Sequence, residues 1–271
     1  KLQGRQLRPV PVAQPRGDLA GLLAVSYPNQ RLNDVVVDVA VQEGLERVLS
    51  EHRQQDRLRD FGLDPIHSLL LIGPPGTGKT LSASVLAGEL HLPLFLIRLE
   101  ALITKFMGET AAKLRLIFDA VEETRGVYFF DEVDALAGDR SSTNDVGEVR
   151  RILNSFLQFL ELKKPSSLVV AATNHPQLLD HAVFRRFDLV IEYPLPTPEI
   201  ARTVMRNRLA VLGTRGLNWK KVDELAAGLS HAELTIACEQ AAKQAILTHA
   251  PHVTTDLLVR ALEDRRRATV G

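Results

Sequence analysis

The chain has 271 residues, of which 45% are hydrophobic and 24% charged, ordinary values for a globular protein with a buried core. Lys and Arg together number 33 and so do Asp and Glu, so no global field draws the chain to nucleic acid or to an acidic membrane. A single cysteine, Cys238, excludes an internal disulfide, no Cys/His spacing suits zinc, and no apolar run approaches the ~20 residues that cross a bilayer.

Residues 1–33 hold Pro9, Pro11, Pro15 and Pro28 among scattered Gly and Arg and read as a linker or arm. The chain opens on Lys1 rather than Met, without a signal-peptide pattern, so upstream sequence and a cytoplasmic location are expected. From Asp34 the pattern changes, and a polar-faced helix through Val48 and Leu49 is expected to run to about Asp60.

Short apolar runs then alternate with helical stretches. The runs are Ser68–Ile72, Leu94–Ile97, Val127–Phe130, Leu168–Ala172 and Leu189–Ile191. Continuous apolar runs of this length are how strands covered on both faces read. Val149, Ile152, Leu153, Phe156, Leu157 and Leu160 make the clearest helical stripe. Strands alternating with helices predict an α/β fold with a five-stranded parallel sheet flanked by helices, in which ligands bind beyond the carboxyl ends of the strands.

After Pro194 the strand signal stops. Thr197 and Pro198 suit an N-cap and a first helical position, with that helix ending near Gly213. Ser230 to Glu233 form a capping box, and Leu257, Leu258, Ala261 and Leu262 mark a last amphipathic helix. The expected organisation is thus an arm (1–33), a large α/β subdomain (34–196) and a small all-helical lid (197–271). The run Arg265–Arg267 reads as a solvated last helical turn.

Gly73-Pro-Pro-Gly-Thr-Gly-Lys-Thr80 follows an expected strand and opens an expected helix, the context a phosphate-binding loop requires. Glycines let backbone N–H groups converge on phosphate oxygens. Pro75, Gly76, Thr77, Gly78 and Leu81 belong to this cradle, Lys79 brings a cation to the β/γ-phosphates, and Thr80 offers its hydroxyl to Mg²⁺. The run from Val127 ends in Asp131 and Glu132, one carboxylate suited to the Mg²⁺ shell and the next to polarising a water. Asp134 follows, either supporting the site or capping the next segment.

These residues, in this order, resemble the AAA clade of AAA+ ATPases, phosphate-loop NTPases with a C-terminal helical lid, over about residues 34–271. Prokaryotic stand-alone AAA modules are similar. The resemblance implies ATP hydrolysis with Mg²⁺. In Ala171-Ala172-Thr173-Asn174 it implies that Asn174 orients water against the γ-phosphate. In Phe184-Arg185-Arg186-Phe187-Asp188 it implies arginines that reach ATP on a neighbouring subunit, adjacent as in katanin and spastin, without deciding between Arg185 and Arg186. Lys105, Phe106 and Met107, before Gly108, resemble a pore loop that grips polypeptide, and Arg140–Val146 matches a second one in position. Leu229 to Leu234 match the lid segment near the adenosine, with His231 where Gly is usual and Glu233 where Asp is usual. His231, Ala232 and the stretch Asp34, Val35 and Val36 are therefore the expected adenine contacts.

The implied function is ATP-driven remodelling or unfolding of protein by a ring-shaped oligomer, hexameric by the resemblance. A nucleic-acid motor or loader and an ATP-dependent regulatory switch are the alternatives; the neutral charge disfavours the first, and an intact hydrolytic set disfavours a dead scaffold. No H-E-x-x-H follows the lid segment, so a built-in zinc protease is not expected, whereas a separately encoded protease stays open as a partner.

Overall fold

The computed structural model describes residues 17–102, 107–137, 146–162 and 166–270. Helix α1 (Leu19–Leu22) leads into strand β1 (Leu23–Ser26), followed by α2 (Val39–Arg53), α3 (Gln55–Asp60), β2 (Ser68–Ile72) and α4 (Lys79–Leu90). Next come β3 (Leu94–Ile97), α5 (Leu99–Leu102), α6 (Met107–Glu123), β4 (Val127–Phe130), α7 (Val146–Leu162), β5 (Leu168–Thr173), α8 (His181–Phe184) and β6 (Leu189–Glu192). Four helices close the chain: α9 (Pro198–Arg208), α10 (Trp219–Ala226), α11 (His231–Leu247) and α12 (Thr255–Val270).

The strands form one sheet in the order β1-β3-β4-β5-β2-β6. Its five expected strands are all parallel. A sixth, β1, pairs antiparallel with β3 through Leu23 opposite Ile97. It lies within the stretch read as an arm, so the sheet is larger than expected and residues 23–26 are part of it. Leu23–Ser26 is a short, mainly apolar run inside a proline-bearing stretch, so composition favours a linker there; pairing with β3 makes it a strand.

The central strands are buried on both faces, and their side chains divide between two cores as the pleat requires. Leu70, Tyr128, Phe130, Val169 and Ala171 pack on one face with α6 and α7. Leu69, Leu71, Val127, Phe129 and Val170 pack on the other with α2 and α4. The α7 stripe is buried at Ile152, Leu153, Phe156, Leu157 and Leu160, with Phe156 edge-on to Phe130 at 4.9 Å. Burying such a large side chain contributes roughly 1.5–3 kcal/mol.

Helices α9–α12 enclose a third core around Met205, Leu234, Cys238 and Leu258. Their ends follow the sequence signals: the Thr197 side chain accepts the N–H of Ile200, and Ser230 and Glu233 form the reciprocal capping box. Helix α9 stops at Arg208, earlier than the predicted Gly213. The chain turns through Leu209 to Gly213, whose N–H bonds back to the Leu209 carbonyl at 2.8 Å and whose φ is +78°. The helix expected to reach Asp60 likewise breaks at Gln54 into α2 and α3.

A candidate nucleotide site at the carboxyl edge of the sheet

The loop after β2 is shaped by three glycines with positive φ: Gly73 at +142°, Gly76 at +74° and Gly78 at +106°. Two are also sterically required. A Cβ on Gly73 would lie 2.2 Å from the Tyr193 carbonyl oxygen, and one on Gly76 would lie 2.7 Å from Ser230 Oγ. The loop hands directly into α4, whose first turn presents free N–H groups and the positive end of the helix dipole.

Lys79 begins that helix with only 5% of its surface exposed. Its ammonium donates to the carbonyls of Gly73 at 2.8 Å and Pro74 at 2.7 Å. Burial lowers its pKa, while the carboxylates of Asp131 and Asp134 pull it back up. Thr77 is buried, its hydroxyl donating to the Pro74 carbonyl at 2.8 Å, so its side chain braces the loop rather than facing the cavity.

The Thr80 hydroxyl donates to Asp131 Oδ2 at 3.0 Å, so β2 and β4 bring the two candidate metal groups together. A hydroxyl and a carboxylate this close form a hard-oxygen pair of the kind Mg²⁺ uses beside nucleotide phosphates. Among the described residues no group of three or more His, Cys, Asp or Glu could hold a metal. A magnesium here would therefore complete its shell from phosphate and water, and the residues present fit that arrangement.

Glu132 takes φ +52°, a left-handed backbone that costs a non-glycine residue roughly 1–2 kcal/mol. Local bonds hold the turn: Asp131 Oδ1 accepts the N–H of Glu132 at 3.0 Å, and the Glu132 carbonyl accepts that of Ala135 at 2.9 Å. The turn leaves Glu132 exposed beside the phosphate loop. Strained backbone at a site carboxylate is a common mark of function.

These groups surround a cavity of about 580 Å³, a size suited to a nucleotide. Pro75, Gly76, Gly78, Lys79, Thr80 and Leu81 line one wall, Asp131, Glu132 and Asn174 a second, and His231 and Ala232 the third. Thr235 and Ile236, one helical turn further along α11, also line it. Sequence reasoning missed both, although the helical period from His231 points to them.

The lid is tied to the loop by a hydrogen bond from the N–H of Ala232 to the Gly76 carbonyl at 3.0 Å. Both ring nitrogens of His231 are buried without a hydrogen-bond partner among the described residues. Burial lowers its pKa, and the nearby Val36 backbone offsets part of that.

The Val36 backbone lies beside His231, which lines the cavity, and Asp34 accepts the N–H of Arg31 at 2.7 Å. Lys105 and Phe106, and Arg140 to Asp145 of the second pore-loop match, lie outside the described residues. Met107 and Val146 begin α6 and α7.

Arg185 and Arg186 are both exposed, and neither lines the cavity. They precede β6, and Asp188 fastens that segment to the start of β2. Its Oδ2 accepts the N–H groups of His67 and Ser68, each at 2.9 Å, and the Ser68 hydroxyl at 3.0 Å. The arginines thus sit at the amino ends of β2 and β6, whereas the phosphate loop leaves the carboxyl end of β2, roughly 13 Å away along the strand. Arg186 pairs with Glu161 of α7. Asp188 also pairs with the His67 imidazole at 2.9 Å.

A largely parallel sheet flanked by helices, a glycine-rich loop feeding a helix, adjacent acids just past the end of a strand two places away in the sheet, and a helical lid closing the cavity define a phosphate-loop nucleotide hydrolase. Comparisons with known proteins narrow the class. Residues 69–195 match the family model described as "ATPase family associated with various cellular activities (AAA)". The AAA family ATPase y4kL of Sinorhizobium fredii, itself called uncharacterized, is 35% identical over 244 residues, spanning 90% of this chain and 74% of that protein. The proteasome-activating nucleotidase of Pyrococcus furiosus is 32% identical over 251 residues, 90% of this chain but 63% of the relative. The crystal structure of the FIGL-1 AAA domain is similar with a TM-score of 0.69 and 26% identity, covering 91% of this chain and 90% of that one. The chain belongs to the AAA family of ATPases and is an ATP hydrolase. Such enzymes use ATP with a divalent metal, generally Mg²⁺.

Proposed function

We propose that the chain is one subunit of a ring, hexameric by analogy, that hydrolyses ATP to remodel or unfold protein. The observation that carries this reading is the position of Arg185 and Arg186 at the opposite end of the strands from their own phosphate cavity. Charges placed there can serve a cavity on another copy, and head-to-tail contacts of this kind form a ring where the rotation between copies closes. Relatives named proteasome-activating nucleotidases support a protein substrate, with a separately encoded protease as a further candidate partner.

In this reading the Lys79 ammonium leaves the Gly73 and Pro74 carbonyls for the β- and γ-phosphates of ATP. Bound Mg²⁺, held through Thr80 and Asp131, supplies charge neutralisation at those phosphates. Glu132 accepts a proton from the attacking water, and Asn174 orients that water against the γ-phosphate. Arg185 and Arg186 of a neighbour stabilise the charge spread over the transferred group. The adenosine lies against His231 and Ala232, with Thr235 and Ile236 beyond them. Residues 34–196, completed by β1, act as the ATP-binding subdomain and 197–271 as the lid. The bond from Ala232 to Gly76 passes changes in the phosphate loop to the lid. Lys105, Phe106 and Met107 grip the polypeptide, an aromatic and a polarizable side chain suiting sequence-tolerant contact.

The test uses casein as a permanently unfolded probe. Casein is expected to stimulate the ATPase of the wild-type chain, with Phe106→Ala abolishing that stimulation and leaving the basal rate within about twofold, since uniform binding and turnover separate in such a comparison. Stimulation by double-stranded DNA instead of casein, or equal stimulation of Phe106→Ala, would reject the protein-gripping role.

A further inference from the structure

Three segments of the candidate site meet at Thr173, the last residue of β5. Its carbonyl accepts the N–H of Gly73, where the phosphate loop begins, at 3.3 Å. Its hydroxyl donates to Asp134 Oδ1 at 2.6 Å and accepts the N–H of His175 at 3.0 Å. Thr173 is 1% exposed, so water does not compete for these bonds. A hydroxyl has one proton. Committing it to Asp134 turns the oxygen lone pairs toward His175, and the resulting loop closes around Asn174. Asp134 stands two residues beyond Glu132, in the 3₁₀ segment Val133–Ala137. One short hydrogen bond therefore joins the turn that carries Glu132 to the turn that carries Asn174, and neither of its partners lines the cavity.

We propose that Asp134 and Thr173 are positioning residues for hydrolysis, their hydrogen bond setting the separation of the Glu132 carboxylate and the Asn174 amide across the cavity. The inference rests on the reading of Glu132 and Asn174 as the groups that handle the attacking water and the γ-phosphate. The alternative is that the bond merely secures the end of β5. The two differ in what they predict. A positioning bond acts on the arrangement of reacting groups, where displacement by an ångström can cost ~10²-fold in rate, and leaves the phosphate loop and lid contacts alone. A securing bond acts on stability and on nucleotide affinity together.

The experiment measures kcat with Mg-ATP, affinity for a fluorescent ATP analogue and thermal melting on the full chain. Thr173→Val and Asp134→Ala are each expected to lower kcat by about 10- to 100-fold while affinity stays within about threefold. Thr173→Ser, which keeps the hydroxyl, is expected to retain most of the rate. The double variant should be no slower than the worse single one, because both remove the same bond. Should Thr173→Val not fold, the comparison passes to Asp134→Ala against Asp134→Asn, which keeps an acceptor oxygen. A kcat unchanged by loss of the bond, losses that multiply in the double variant, or affinity and melting temperature falling in step with kcat would each overturn the inference. Glu132→Gln and Asn174→Ala run alongside: if these keep the wild-type rate, the site reading itself has failed; if they lose it and Thr173→Val does not, only the positioning inference has.

Discussion

Completion of the site by a second copy can be read by mixing two inactive variants. Lys79→Ala removes the cation of the phosphate loop and leaves the arginine pair intact. Arg185→Ala/Arg186→Ala does the reverse. The two features lie at opposite ends of β2 and β6, and neither arginine lines its own cavity. Each variant alone is therefore expected to lose activity, the arginine variant by ~10³–10⁵-fold if it behaves like other arginine fingers. In a ring assembled at random from equal parts, about one interface in four joins an intact phosphate loop to an intact arginine pair. The mixture should then recover on the order of a quarter of the wild-type rate per subunit, far above either parent. Steady-state phosphate release, measured after exchange of subunits and across a dilution series, provides the assay. A mixture no faster than the sum of its parents would refute the reasoning, as would an arginine variant with an undiminished, dilution-independent rate.

Glu132→Gln should keep ATP affinity near wild type while kcat falls by ~10²–10⁴-fold, the usual worth of a positioned base; equilibrium binding beside single-turnover hydrolysis separates the two. Gly76→Ala places a methyl 2.7 Å from Ser230 Oγ and 3.0 Å from Ala232 Cβ at a φ of +74°. It is expected to push the start of α11 off the loop, and a displacement that disfavours the binding-competent arrangement by ~1–2 kcal/mol would weaken nucleotide binding by about tenfold; titration with a fluorescent nucleotide checks this. The His67–Asp188 pair predicts a pH window. The hydrogen bond to Asp188 raises the His67 pKa above 6.5. Burial pushes the Asp188 carboxyl up, but the bonds from His67 and Ser68 outweigh it and hold the pKa at about 2. The histidine contribution is present below 6.5 and lost as pH rises through its raised value. The aspartate contribution is present above 3.8 and lost as pH falls through about 2. The melting-temperature difference between wild type and His67→Ala should be largest between about pH 4 and 6.5 and shrink on the alkaline side; a difference flat across pH 5–9 would contradict it.

The parts of the fold legible in the sequence are those where one local pattern has one physical solution. Leu69, Leu70 and Leu71 in a row are affordable only in a strand covered on both faces, and all three are fully buried. Gly73, Gly76 and Gly78 combine with Lys79 and Thr80 in a spacing that demands positive φ and a helix start, and the chain has both. What escaped depends on partners distant in sequence. Strand β1 is made by pairing with the edge that β3 offers, where Leu23 stands opposite Ile97. Thr235 and Ile236 follow His231 by one helical turn, but which face of that helix meets the cavity depends on its docking on the loop, where Ala232 bonds to Gly76. Asp134 makes the same point for the site's chemistry. Its place after Asp131 and Glu132 suggests a supporting acid or a cap, but its partner, Thr173, lies 39 residues on. A spacing motif can identify groups that must touch a ligand, because the ligand's dimensions constrain it. It cannot identify a group whose only task is to hold two such groups apart, because that distance is set by the packing of β4 against β5.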